Sequence, residues 1–134
     1  MTKHINEGKK MLKVLGSVGM LVLLFWVMAD AAGLGVFIEI YSLVIVFGGA
    51  ALFWLAAGGV GQGKSLGLDS YGRGAIYFGW LGTAIGVIGM AHNWTDIDPD
   101  VLGPASAIAM LTLLYGYLIA WVAVPAIKSL TQDG

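Results

Sequence analysis

A chain of 134 residues that is 58% hydrophobic and only 11% charged cannot coat a soluble surface, for which about 25% charge is usual. A mean hydropathy of +0.85 and a one-domain length point to a membrane protein with little soluble mass. The formal net charge of −1 leaves no basic face for nucleic acid, and the lack of cysteine excludes disulfides, thiolate metal sites and a Cys nucleophile.

Ionisable residues cut the chain into four apolar stretches. They predict an all-α integral membrane protein with transmembrane helices at about 14–32, 38–60, 74–91 and 101–127, residues 1–134 forming a single four-helix membrane domain. The first stretch, between Lys13 and Asp30, is short and spans if Lys13 snorkels or Ala31 and Ala32 join it. Its basic lead and the triplet Ala29-Asp30-Ala31 also look somewhat like a signal peptide, the lesser reading. The second stretch follows Glu39, which with Asp30 is expected at a hydrated interface because burying a carboxylate is costly. Within it Gly48 and Gly49 are candidate helix-packing positions. Residues 61–73, GQGKSLGLDSYGR, read as a connecting loop.

In the third stretch Gly79, Gly82, Gly86 and Gly89 recur at spacings that put them on one helical stripe, a packing face with Thr83 at its flank. Residues 92–100, HNWTDIDPD, form an acidic connection. The alternation of Asp96, Asp98 and Asp100 lacks the glycine and the closing Glu of a calcium loop. In the fourth stretch Ala105, Ala109, Thr112, Gly116 and Ala123 share one small-residue face, with Ala120 at its margin. Leu114, Leu118 and Trp121 occupy the arc suited to lipid or a neighbouring subunit. The Thr112 hydroxyl is expected to bond a carbonyl one turn back, with a pore-facing role as the alternative. Trp26, Trp80, Trp94 and Trp121 are candidate interface anchors.

Lys3, Lys9, Lys10, Lys13, Lys64, Arg73 and Lys128 fall on one side of such a four-span layout. Asp30, Glu39, Asp96, Asp98 and Asp100 fall on the other, which predicts cytoplasmic N and C termini. No stretch carries an acid, Lys or Arg near its centre, the usual marker of an ion pathway. If the chain conducts ions, the titrating group comes from another polypeptide. No catalytic residue, cofactor site or metal site is indicated.

Three segments resemble the MotA/TolQ/ExbB family of proton-channel subunits, most closely its MotA-like stator branch. Residues 37–49, FIEIYSLVIVFGG, are similar to the family's F-[ID]-x-x-S-x-x-I-V-x-G-G. Residues 78–90, FGWLGTAIGVIGM, are similar to F-G-x-x-G-T-x-x-G-x-x-x-M. Residues 102–120, LGPASAIAMLTLLYGYLIA, are similar to I-G-P-A-x-A-x-A-L-L-T-T-L-Y-G. The resemblance implies a homopentameric ring in the bacterial inner membrane around single-span partners of the MotB/TolR/ExbD type, whose aspartate carries the proton. It places Thr83 near the ion path, with Thr112, Ala109 and Gly116 facing the path or the partner, and makes Pro104 and Pro125 structural positions. Leu113 stands where the family has a second threonine, and Ile76 near a common proline. The long insertion that stator subunits carry between spans two and three is replaced by residues 61–73, which removes the lobe that would push a rotor. An oligomeric membrane scaffold without ion coupling is the alternative, motivated by Leu113. A small four-span drug transporter ranks lower, since it needs an embedded acid that span one lacks.

Overall fold

The computed structural model describes residues 2–95 and 98–131, with side chains from Ile5 onward; Asp96 and the side chain of Lys3, both counted above, lie outside the described residues. The elements are α1 (Thr2–Ala32), a 3-10 turn (Leu34–Phe37), α2 (Ile40–Ala56) and a second 3-10 turn (Gly59–Gly61). After them come α3 (Lys64–His92), α4 (Pro99–Leu118), a π turn (Ile119–Ala123) and α5 (Val124–Thr131). The described residues are all-helical. Four of their segments are long and apolar enough to cross a membrane: Ile5–Ala32, Leu34–Ala56, Lys64–His92 and Pro99–Thr131.

The largest departure from the sequence reading lies between α2 and α3. Residues 64–73, read above as loop, are the first turns of α3, and only residues 57–63 connect the two helices. The chain leaves α2 through Gly58, whose φ of +74° suits a residue without a Cβ. Beyond it, glycines that look like helix breakers are sites of close approach. A Cβ on Gly67 would stand 3.0 Å from Trp54 Nε1, and one on Gly72 3.2 Å from Val124 Cγ2. One on Gly74 would stand 2.8 Å from Phe53 Cβ. Each glycine weakens an isolated helix by about 1 kcal/mol relative to alanine. Here tertiary packing offsets that cost.

α3 is the central helix, packed between α2 and α4. The core runs through all three, from Val46 and Ala50 to Ala75, and on to Leu111, Tyr115, Ile119 and Val124. Leu114 and Leu118, assigned above to the lipid-facing arc, are half-buried against this core, whereas Trp121 is 64% exposed. α1 stands apart. It meets chiefly the first 3-10 turn, the π turn and α5, and no residue of its apolar stretch is buried. An apolar cavity of about 440 Å³ separates it from the trio, lined by Leu24, Met28, Phe37, Leu43, Tyr115 and Ile119 among others.

Two devices shape α4. Asp98 caps its start by accepting from Asp100 N at 3.1 Å, and Pro99 fills the first helical position, where a missing N–H is harmless. The expected acidic loop is therefore partly a helix start. Further on, Pro125 cannot donate to the carbonyl four residues back. The backbone widens into the π turn just before it, and Val124 N–H bonds Ile119 O, five residues back.

Candidate functional site: the polar seam between α3 and α4

Two helices with few polar side chains meet along small residues, and the seam holds one compact group of oxygens. Gly79, Gly82 and Gly86 let the backbones approach. A Cβ on Gly79 would stand 2.8 Å from Thr112 O, one on Gly82 2.9 Å from Thr112 Cγ2, and one on Gly86 2.7 Å from Ala109 Cβ. Gly116 returns the fit from α4, its Cβ position lying 2.6 Å from Ala75 O. Approach this close is what glycine permits and any larger residue prevents.

The gap admits two threonines. Thr83 Oγ1 lies 3.0 Å from Gly79 O and 2.8 Å from Ala109 O. Thr112 Oγ1 lies 3.1 Å from Gly79 O and 2.8 Å from Ala109 O. The two hydroxyl oxygens are 3.1 Å apart. Each hydroxyl has one proton, so two protons are shared among two carbonyls and the Oγ1–Oγ1 contact, and these cannot all be hydrogen bonds at once. The bond from Thr112 to the carbonyl three residues back is the one anticipated for it. The bond across to α3 is the addition.

Burial separates the four residues expected at the ion path. Thr112 is 3% and Ala109 5% exposed, Gly116 is buried, and Thr83 alone is half-buried with part of its surface open. Thr112 thus lies wholly inside the seam, and Thr83 is the member of the pair with open surface. No Asp, Glu, Lys, Arg or His lies in α3 between Arg73 and His92, nor in α4 beyond Asp100. The cluster can accept hydrogen bonds from water or a partner group, but it offers no group that titrates near neutral pH.

The remaining packing positions divide. Gly49 is pressed against Phe78, its Cβ position 2.1 Å from the ring, whereas a Cβ on Gly48 or Gly89 would meet nothing within 4 Å among the described residues. Pro104 lies inside α4 and Pro125 in α5. Leu113 brings its Cα to 3.3 Å from the Gly79 Cβ position and is half-buried. Trp80 sits near mid-helix instead of at an end, and its Nε1–H donates to Tyr117 OH at 3.3 Å.

Sequence reasoning passed over a second polar group beside this seam. Tyr115 is 7% exposed, donates to Phe37 O and accepts from Glu39 N at 3.3 Å. The Glu39 carboxylate caps α2, accepting from Tyr41 N at 3.1 Å and Ser42 N at 2.6 Å. The buried Ser42 hydroxyl donates to Ile108 O at 3.3 Å. The available signal was a tyrosine amid apolar residues, whose hydroxyl needs a partner when buried.

Comparison with known proteins gives this seam a context. The model of the MotA/TolQ/ExbB proton channel family matches residues 63–133, which include α3, α4 and α5. Motility protein A of Aquifex aeolicus (strain VF5) is 49% identical over 43 residues, covering 32% of this chain and 16% of that protein. Chemotaxis protein PomA of Vibrio alginolyticus is 39% identical over 51 residues, covering 38% and 19%. The uncharacterized protein YtxD of Bacillus subtilis (strain 168) is 47% identical over 52 residues, covering 39% and 18%. The chain thus aligns with less than a fifth of each of these relatives. No solved structure matches it significantly.

Proposed function

The chain belongs to the MotA/TolQ/ExbB proton channel family, and from that premise we propose that it is a stator-like ion-channel subunit of the bacterial inner membrane. As a member of a channel family it is not an enzyme. In this reading its copies form a homopentameric ring around a single-span partner of the MotB/TolR/ExbD kind. Both termini face the cytoplasm, and residues 1–134 act as one membrane domain. The partner supplies the aspartate that carries a proton. Thr83 presents its oxygen to that path, and Thr112, Ala109 and Gly116 hold Thr83 in register. Gly48 and Gly89, whose Cβ positions are open among the described residues, face neighbouring copies.

The observation that carries this reading is the hydroxyl and carbonyl cluster of Thr83, Thr112, Gly79 and Ala109, set in helices without a carboxylate, Lys, Arg or His at that depth. Such a seam can orient water or a partner's carboxyl, yet a coupled cycle needs an acid from elsewhere. Residues 57–63 are too short for a folded lobe between α2 and α3. Torque through such a lobe forms no part of the proposal.

The test is reconstitution with the single-span partner in proton-loaded vesicles. Flux should vanish when the partner's membrane aspartate becomes Asn, and the complex mass should correspond to several copies of this chain. A stable monomer or dimer without partner refutes the ring, and flux that survives the Asn variant refutes proton coupling. The scaffold reading, motivated by Leu113 where the family has a hydroxyl, predicts unchanged cellular function when Thr83 and Thr112 both become Val.

A further inference from the structure

Because residues 64–73 are helical, Arg73 lies about 13 Å along α3 from Lys64 at 1.5 Å per residue. Its neighbour Gly74 sits against α2, with a Cβ position 3.1 Å from Ala50 Cα. Ala50 in turn stands about 9 Å from the Ala56 end of an uncharged helix. Arg73 is thus a cation beside apolar surface, and it is exposed. Among the described residues it makes no hydrogen bond or ion pair. A guanidinium cannot shed its proton in a protein, so at this depth it needs an anion.

Arg73 lines a cleft of about 430 Å³ between α3 and the π turn with the start of α5, together with Asp69, Leu66, Ile76, Trp121 and Val124. The one acid there is already engaged, because Lys128 Nζ donates to Asp69 Oδ2. That pair is neutral as a unit and leaves the charge of Arg73 uncompensated. Leu66 and Trp121, 62% and 64% exposed, add apolar surface. Helical side chains lean towards the N-terminus of their helix, which directs Arg73 to the Lys64 end of α3. A tryptophan beside a long basic side chain is the pairing found at headgroup level.

We propose that this cleft binds the headgroup phosphate of an anionic phospholipid. Arg73 engages the phosphate oxygens through paired N–H groups, and Trp121 with Leu66 flanks the glycerol and the first acyl carbons. The cleft shares no residue with the Thr83–Thr112 cluster. The occupant is a lipid, because the cleft sets the Arg73 guanidinium and the Asp69–Lys128 pair beside the apolar Leu66, Ile76, Trp121 and Val124.

Native mass spectrometry of the full-length protein in detergent, titrated separately with phosphatidylglycerol and phosphatidylcholine, tests this. The expected result is phosphatidylglycerol adducts at concentrations at least tenfold lower than phosphatidylcholine adducts. Arg73→Gln should abolish that preference, Arg73→Lys should retain most of it, and Lys64→Gln, outside the cleft, should leave it unchanged. Equal binding of the two lipids, or a preference that persists in Arg73→Gln, overturns the proposal. So does displacement of the lipid by millimolar inorganic phosphate. If Arg73→Gln instead lowers the oligomer mass with the lipid preference intact, Arg73 pairs with an acid of another subunit and the lipid site is wrong.

Discussion

The hydroxyls of Thr83 and Thr112 stand 3.1 Å apart across the α3–α4 seam and share the carbonyls of Gly79 and Ala109. A shared set of acceptors makes the pair energetically coupled. Thr83→Val and Thr112→Val should each lower stability in detergent by about 1 kcal/mol, the usual net worth of a hydrogen bond. The double variant should lose less than the sum, because the Oγ1–Oγ1 contact is removed only once. A double-mutant cycle from thermal unfolding reads the coupling, and strict additivity contradicts a shared cluster.

The glycines of one stripe should not respond alike. Gly82→Ala pushes a methyl to 2.9 Å from Thr112 Cγ2, and Gly79→Ala to 2.8 Å from a backbone oxygen. Overpacking of this kind costs about 1–3 kcal/mol. Gly89→Ala meets open space and should gain up to about 1 kcal/mol of helix propensity. Unfolding midpoints of the three variants rank them directly. If Gly89→Ala instead leaves the monomer intact but lowers the oligomer mass, that position is a seam between copies.

This ranking also marks how far the sequence could be read. The spacing of Gly79, Gly82 and Gly86 declares a packing face, and Ala109, Thr112 and Gly116 declare its counterpart, because helical period alone sets which residues share a side. Period does not say what faces them. Gly89 continues the spacing, yet a Cβ there would meet nothing within 4 Å among the described residues. Gly67, Gly72 and Gly74 were illegible for the opposite reason. Beside Lys64, Asp69 and Arg73 they suggest a loop, and only Trp54, Val124 and Phe53 from distant parts of the chain explain their place in a helix. Tyr115 was hidden because its partners, Phe37 O and Glu39 N, belong to a turn whose path no local pattern fixes.

Tyr115→Phe removes one hydroxyl and leaves two backbone groups without it. Unsatisfied buried groups cost about 1–3 kcal/mol, and the effect should be local. Hydrogen exchange should quicken at Glu39 and its neighbours in the turn before α2, while amides of the α3–α4 seam keep their protection. Uniform acceleration across α3 and α4 contradicts a local role for the hydroxyl.

Pro125 has the most specific consequence. Restoring an N–H there, in Pro125→Ala, lets residue 125 bond Trp121 O and removes the reason for the π turn. A π turn inserts about one residue into the helical register, so its loss rotates α5 by about 100° relative to α4. Lys128 would then swing away from Asp69, which it now contacts. The natural chain contains no cysteine, so Asp69→Cys with Lys128→Cys supplies a clean reporter. A short bismaleimide crosslinker, whose reach suits a Lys–Asp side-chain pair better than a disulfide does, should join the two cysteines readily with Pro125 in place and far less with Pro125→Ala. Equal yields in the two backgrounds mean that packing of Ala120 and Val124 against Gly72, instead of the proline, holds the widened turn.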